Sequence, residues 1–231
     1  MDVPVVDYSR WLASLGADAF DEVAEAAERV IMIHEALAND GISLLGELLR
    51  DRGTAPIETW AHYPTDDCID PKSGAMYYYH AHDPVAWTRQ EHGHFHLFVR
   101  SEQTHDFSHL MAISMSPQGI PNRLFTTNGW VTDEVMLPAE ELLRQLDEGW
   151  EIRRARPSWL VAQWLMAMPV LLRPQVTALL RQRDSILGWT RDGHASTQVL
   201  EDRNLHLLSE VPLDLVDVLE AVQMEAHTRV N

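Results

Sequence analysis

The sequence predicts an α+β fold, with a central antiparallel sheet flanked by an N-terminal helical hairpin and a C-terminal helical layer. Three observations predict it. Apolar residues recur every three or four positions through residues 18–52, the period shortens to two between 62 and 134, and helical spacing returns after Pro138. With 231 residues, 45% of them hydrophobic, the chain can bury one core. It is read as a single domain over 1–231 in three parts: helical 1–60, a His-rich sheet at 61–135, and mainly helical 136–231.

The first helix is expected over 18–38. There Phe20, Val23, Ala24, Ala27, Val30, Ile31, His34, Leu37 and Ala38 form one stripe, and Asn39, Asp40 and Gly41 end it. Residues 42–52 repeat the pattern through Ile42, Leu45, Leu48 and Leu49 and stop at Gly53. Strands follow at 75–82, 92–100, 110–116, 122–127 and 130–134. Asp70 to Gly74 supplies turn chemistry before the first of them, and an Asn128-Gly129 hairpin joins the last two. Short connections imply antiparallel pairing. Helices are expected at 139–146, 158–167, 170–183 and 213–227, punctuated by Pro157, Pro169 and Pro174, with one further strand near 199–208.

The net charge of −17 argues against nucleic acid or an anionic membrane as a partner, because phosphate backbones and headgroups would be repelled. A single cysteine, Cys68, closes no intramolecular disulfide and builds no Cys-rich zinc site, so a metal here must use imidazole or carboxylate. The N-terminus lacks the basic start of a secretory signal. The apolar stretch at 157–172 is broken by Gln163 and Pro169, short of the ~20 residues a spanning helix needs. These features predict a cytoplasmic protein acting on a small molecule.

Eight of the 12 histidines, at 62, 80, 82, 92, 94, 96, 105 and 109, fall between residues 62 and 109. In a strand, residues two apart share a face. His80 and His82 therefore point one way, as do His92, His94 and His96. Antiparallel pairing across the 83–91 loop sets His82 opposite His92, His80 opposite His94 and Tyr78 opposite His96. One face then carries Met76, Tyr78, the imidazoles and Phe98. The other carries Tyr77, Tyr79, Ala81, Gly93, Phe95, Leu97 and Val99, an ordinary core surface. Opposed side chains have Cβ atoms about 4.5–5.5 Å apart, within reach of a shared ion at metal–nitrogen distances of about 2.0–2.1 Å.

His80, His82, His94 and His96 are accordingly candidate ligands for Fe, Zn, Ni or Cu, among which imidazole does not choose. Glu91 and His92 are candidates for an alternate ligand or for acid–base catalysis. Strict alternation places the Glu91 side chain on the face opposite the histidines. Tyr78 and Arg89 are candidates for orienting a bound anion. Asp66, Asp67 and Asp70 belong to the loop entering the first strand, and His62 is expected in a turn. His105 and His109, four apart and so on one face of a helix, are expected to back the site from outside the ligand set or to lie on the surface. Glycine-rich phosphate loops, nucleophile elbows and His-Glu-x-x-His helices are absent from the sequence.

The segments Ala61-His62-Tyr63-Pro64, Tyr77-Tyr78-Tyr79-His80-Ala81-His82 and Glu91-His92-Gly93-His94-Phe95-His96-Leu97-Phe98 resemble a bacterial domain family of unknown function. The resemblance implies a shared fold. It carries over no activity and no functional residues.

The histidine ladder predicts a metal-dependent enzyme acting on a small molecule. The alternatives are a non-catalytic module that holds a metal, haem or small ligand, and a structural protein with a hydrogen-bonded histidine layer.

Overall fold

A computed structural model describes residues 3, 6–53, 55–81, 91–100 and 106–230. The N-terminal part is helical. A short helix, α1 (Tyr8–Ser14), is capped by the Asp7 carboxylate and followed by the long α2 (Ala17–Asn39). The buried stripe of α2 is Phe20, Val23, Ala26, Ala27, Val30, Ile33 and Leu37. Ala26 and Ile33 stand where the sequence reading had Ala24 and Ile31. Gly41, at φ 70°, ends the helix: its own N–H donates back to Ala38 O and that of Ile42 to Leu37 O. The expected second helix is shorter than its pattern: α3 (Leu44–Leu48), capped by Ser43, runs into a single 3-10 turn at Arg50–Arg52.

Six strands form one antiparallel sheet in chain order: β1 (Tyr63–Ile69), β2 (Met76–Ala81), β3 (Gly93–Arg100), β4 (Phe107–Met115), β5 (Pro121–Thr127) and β6 (Leu207–Pro212). Their order makes the first five a meander. β6 arrives from the C-terminal part and pairs with β5. Three sequence expectations change here. Residues read as a loop form β1, whose alternation is hidden by an irregularity at Asp66-Asp67, with Asp67 at φ 49°. The further strand begins at Leu207 rather than 199, where a helical turn, α8 (Thr197–Glu201), stands. Asn128-Gly129 makes no hairpin. It opens a helical turn, α4 (Gly129–Thr132), because Asn128 is held elsewhere: its N–H donates to His206 O and its amide to Val199 O.

The remaining helices are α5 (Ala139–Gly149), α6 (Trp159–Leu171), α7 (Arg173–Leu187) and α9 (Leu215–Val230). Pro169 lies inside α6 near its end rather than between two helices, while Pro174 sits in the first turn of α7. α6 is apolar nearly all round because it is the buried layer. Its Trp164, Leu165 and Met168 share one core with Tyr77, Tyr79, Phe95, Leu97, Ile113 and Leu124 of the sheet and with the α2 stripe. That leaves the opposite sheet face to the histidines. Among the described residues no helix is long and apolar enough to cross a membrane.

Candidate metal centre

The β2–β3 register is the expected one. Tyr78 lies opposite His96, His80 opposite His94, and Ala81 opposite Gly93. Gly93 is required there, since a Cβ would stand 2.1 Å from the His80 carbonyl oxygen and 2.6 Å from the Tyr79 hydroxyl. With the strands this close, three imidazoles converge. His80 Nε2 lies 2.8 Å from His94 Nε2, which lies 2.9 Å from His96 Nε2. All three candidate ligand atoms fall within 4.8 Å of one another. Two ligands at right angles on a metal with bonds of 2.0–2.1 Å would be about 2.9 Å apart. The rings are 9%, 6% and 1% exposed, so water competes poorly for the site.

Outer contacts orient these rings. His94 Nδ1–H donates to Glu91 Oε1 at 2.7 Å, which turns Nε2 inward. Glu91 Oε2 accepts from Ser114 Oγ and from Arg123 Nη2, both at 2.6 Å. Arg123 also binds Glu210 of β6. Burial opposes ionisation of Glu91, yet the bond and charge of His94, with Ser114 and Arg123, pull its pKa down to about 2. It is therefore an acceptor only. His96 Nδ1 lies 2.9 Å from Nε2 of His109, whose Nδ1 lies 3.3 Å from Thr127 Oγ1. Burial, reinforced by neighbouring imidazoles, holds His96 well below its usual pKa. His109 is lowered to about 3 by burial and then by Arg183 and His94. Both rings are thus neutral near pH 7, the form that ligates metals.

Other predicted residues fall into place or out of it. Glu91 joins the histidine face and His92 leaves it, the reverse of strict alternation, because the ladder starts at Gly93 and the two residues before it are free of the pleat. Arg123 and Ser114 draw the carboxylate in. His92 Nδ1 instead meets the Tyr79 hydroxyl at 2.5 Å, on the side of the helical core. Tyr78 is buried on the histidine face, its ring 5.0 Å from that of His96, and burial raises its pKa so that the phenol stays protonated. His62 is more than a turn residue: it stacks on Tyr78 at 3.8 Å and bonds Asp67 at 2.7 Å. His82, Arg89 and His105 lie outside the described residues.

Tyr78, Phe98 and His62 wall a cavity of about 490 Å³, with Asp67, Asp106 and Glu134 at its polar side; Tyr78 and Phe98 stand between it and His96. Ser114 and Arg123 are site residues that sequence reasoning missed, while His109, expected to back the site or lie on the surface, backs it through His96. His109 lies on β4 and not on a helix. A bulge between the Leu97–Met111 and Phe98–His109 pairs returns it to the histidine face. Arg123, paired with Ser114 across β4–β5, carried a signal in its alternation with Phe125.

The fold and this site together define an α+β protein whose sheet carries a buried cluster of three imidazoles able to hold a metal ion. The chain belongs to a family described as a domain of unknown function (DUF6969), whose model matches residues 24–213. That match includes all six strands. No curated protein and no solved structure matches the chain.

Proposed function

We propose that the protein binds one divalent transition metal through Nε2 of His80, His94 and His96 and uses it as a metal-dependent enzyme on a small molecule held in the Tyr78–Phe98 cavity. One observation carries the reading. His94 Nδ1 is committed to Glu91, so Nε2 has a single valence, a lone pair or an N–H, with which to meet two other ring nitrogens at hydrogen-bond distance. A hydrogen-bonded layer leaves one of those contacts unmade in a buried site. A metal ion accepts all three lone pairs at once. Three neutral protein ligands also leave coordination positions open for water and substrate, the arrangement of a catalytic rather than a closed structural site. Glu91 then acts as the orienting carboxylate. The purely structural alternative retains support from the 2.8 and 2.9 Å contacts, which are ordinary hydrogen-bond lengths.

Elemental analysis of untagged protein and of His94→Ala decides between them. About one equivalent of metal in the wild type and trace metal in the variant is expected. Equal trace amounts in both would leave the hydrogen-bonded layer as the correct description.

A further inference from the structure

We propose that His109 is a positioning residue for this centre, and that metal binding reverses the hydrogen-bond direction along His96, His109 and Thr127. The inference rests on the metal reading above and adds the route by which His96 exposes its lone pair.

His109 is 1% exposed and its place is specific. Counted along β4, it shares parity with Met111 and Ile113, which belong to the helix-side core. The bulge at Leu110 cancels that parity and sets His109 opposite Phe98, with Nε2 on His96 Nδ1 and Nδ1 facing Thr127 Oγ1. A neutral imidazole has one N–H and one lone pair, so fixing either nitrogen fixes the other.

With a metal on His96 Nε2, the His96 proton must sit on Nδ1 and be donated to His109 Nε2. His109 Nδ1–H then points at Thr127. Without metal, the Glu91 carboxylate, which also accepts from Ser114 and Arg123, takes the His94 Nδ1–H, and the bare His94 Nε2 faces His96 Nε2 at 2.9 Å. His96 relieves that clash of lone pairs by carrying its proton on Nε2. Its Nδ1 becomes an acceptor, His109 donates from Nε2, and the Thr127 hydroxyl donates to His109 Nδ1. The two states interconvert in balanced steps. The His96 Nε2–H bond breaks and its proton leaves to solvent. The His109 Nε2 proton passes to His96 Nδ1, and the Thr127 hydroxyl proton passes to His109 Nδ1. A solvent proton restores the hydroxyl. One proton leaves, one enters, and every residue in the chain stays neutral.

The direct test is the tautomer of His109, read from long-range ¹⁵N–¹H imidazole correlations of the full chain near pH 8, metal-free and with one equivalent of Zn(II). The Nε2–H form is expected without zinc and the Nδ1–H form with it, although His109 touches no metal. One unchanged tautomer overturns the proposal, as a ring fixed by a bond to the Met111 backbone would give. Absence of zinc uptake, measured on the same sample, fails the metal reading and the inference with it. A second arm measures zinc affinity by competition with a chromophoric chelator. His109→Leu should lose about 10- to 100-fold. His109→Gln, whose amide oxygen accepts from His96 Nδ1–H, should recover most of that loss. Unchanged affinity in His109→Leu would show that the ring positions nothing.

Discussion

Two carboxyl groups on the histidine side of the sheet, Glu91 buried and Glu134 half-buried, are shifted in opposite directions, and the difference lies in their partners. Burial opposes ionisation of both. Glu91 overcomes it through His94, Ser114 and Arg123 and drops to about 2. Among the described residues Glu134 accepts from the His109 backbone N–H and the Thr132 hydroxyl, with a contribution from Arg183, and is pushed up to about 7. An acid whose folded pKa lies above its unfolded value costs stability as pH rises through the interval, here from about 4.5 to about 7. Glu134→Gln keeps an acceptor for the His109 N–H and removes the titration. Relative to wild type, metal-free Glu134→Gln should therefore gain on the order of 1 kcal/mol between roughly pH 5 and pH 7.5, read from urea midpoints. A difference that does not change with pH would mean that Glu134 is not held protonated by its surroundings. None of this was legible in the sequence, where residues 130–134 alternate like a strand and Glu134 gives no sign of burial.

At the scale of elements, the parts of the site visible in the sequence are those governed by alternation alone. His80, His94 and His96 sit inside an unbroken β2–β3 ladder, so period-two spacing gave both their face and their register. The faces of Glu91, His92 and His109 do not follow from that spacing, because each lies where the pleat starts or is interrupted. Asn128-Gly129 misled for a different reason: partners some 70 residues away outweigh a local turn preference. The β2–β3 ladder rests on Gly93, where any side chain would press on the His80 carbonyl and the Tyr79 hydroxyl. Gly93→Ala must push the strands apart. It should cost about 1–3 kcal/mol in denaturant unfolding and release the metal by separating His80 from His94. A variant with wild-type stability and full metal content would show that the close approach does not hold the imidazoles together.

The three parts distinguished in the sequence interlock in the whole molecule. β6 completes the sheet from the C-terminal part, its Glu210 binding the same Arg123 that holds Glu91. α6 and α7 cover the apolar sheet face, Trp164 donates to His34 of α2, and Arg229 of α9 donates to the carbonyls of Leu12 and Leu15. Residues 1–135 alone would keep the histidines but lose the partner strand of β5 and the layer over Tyr77, Phe95 and Leu97. The sheet should then fail to form, with no cooperative melt. The full chain should unfold in one transition, with far-ultraviolet dichroism and tryptophan fluorescence giving the same midpoint. Because a ligand that binds only the native state stabilises all of it, metal at 100 times its dissociation constant should raise stability by about 2.7 kcal/mol. Both probes should move together. A metal-induced shift in one probe alone would separate the sheet from the helices, and the histidine centre would belong to a unit smaller than 1–231.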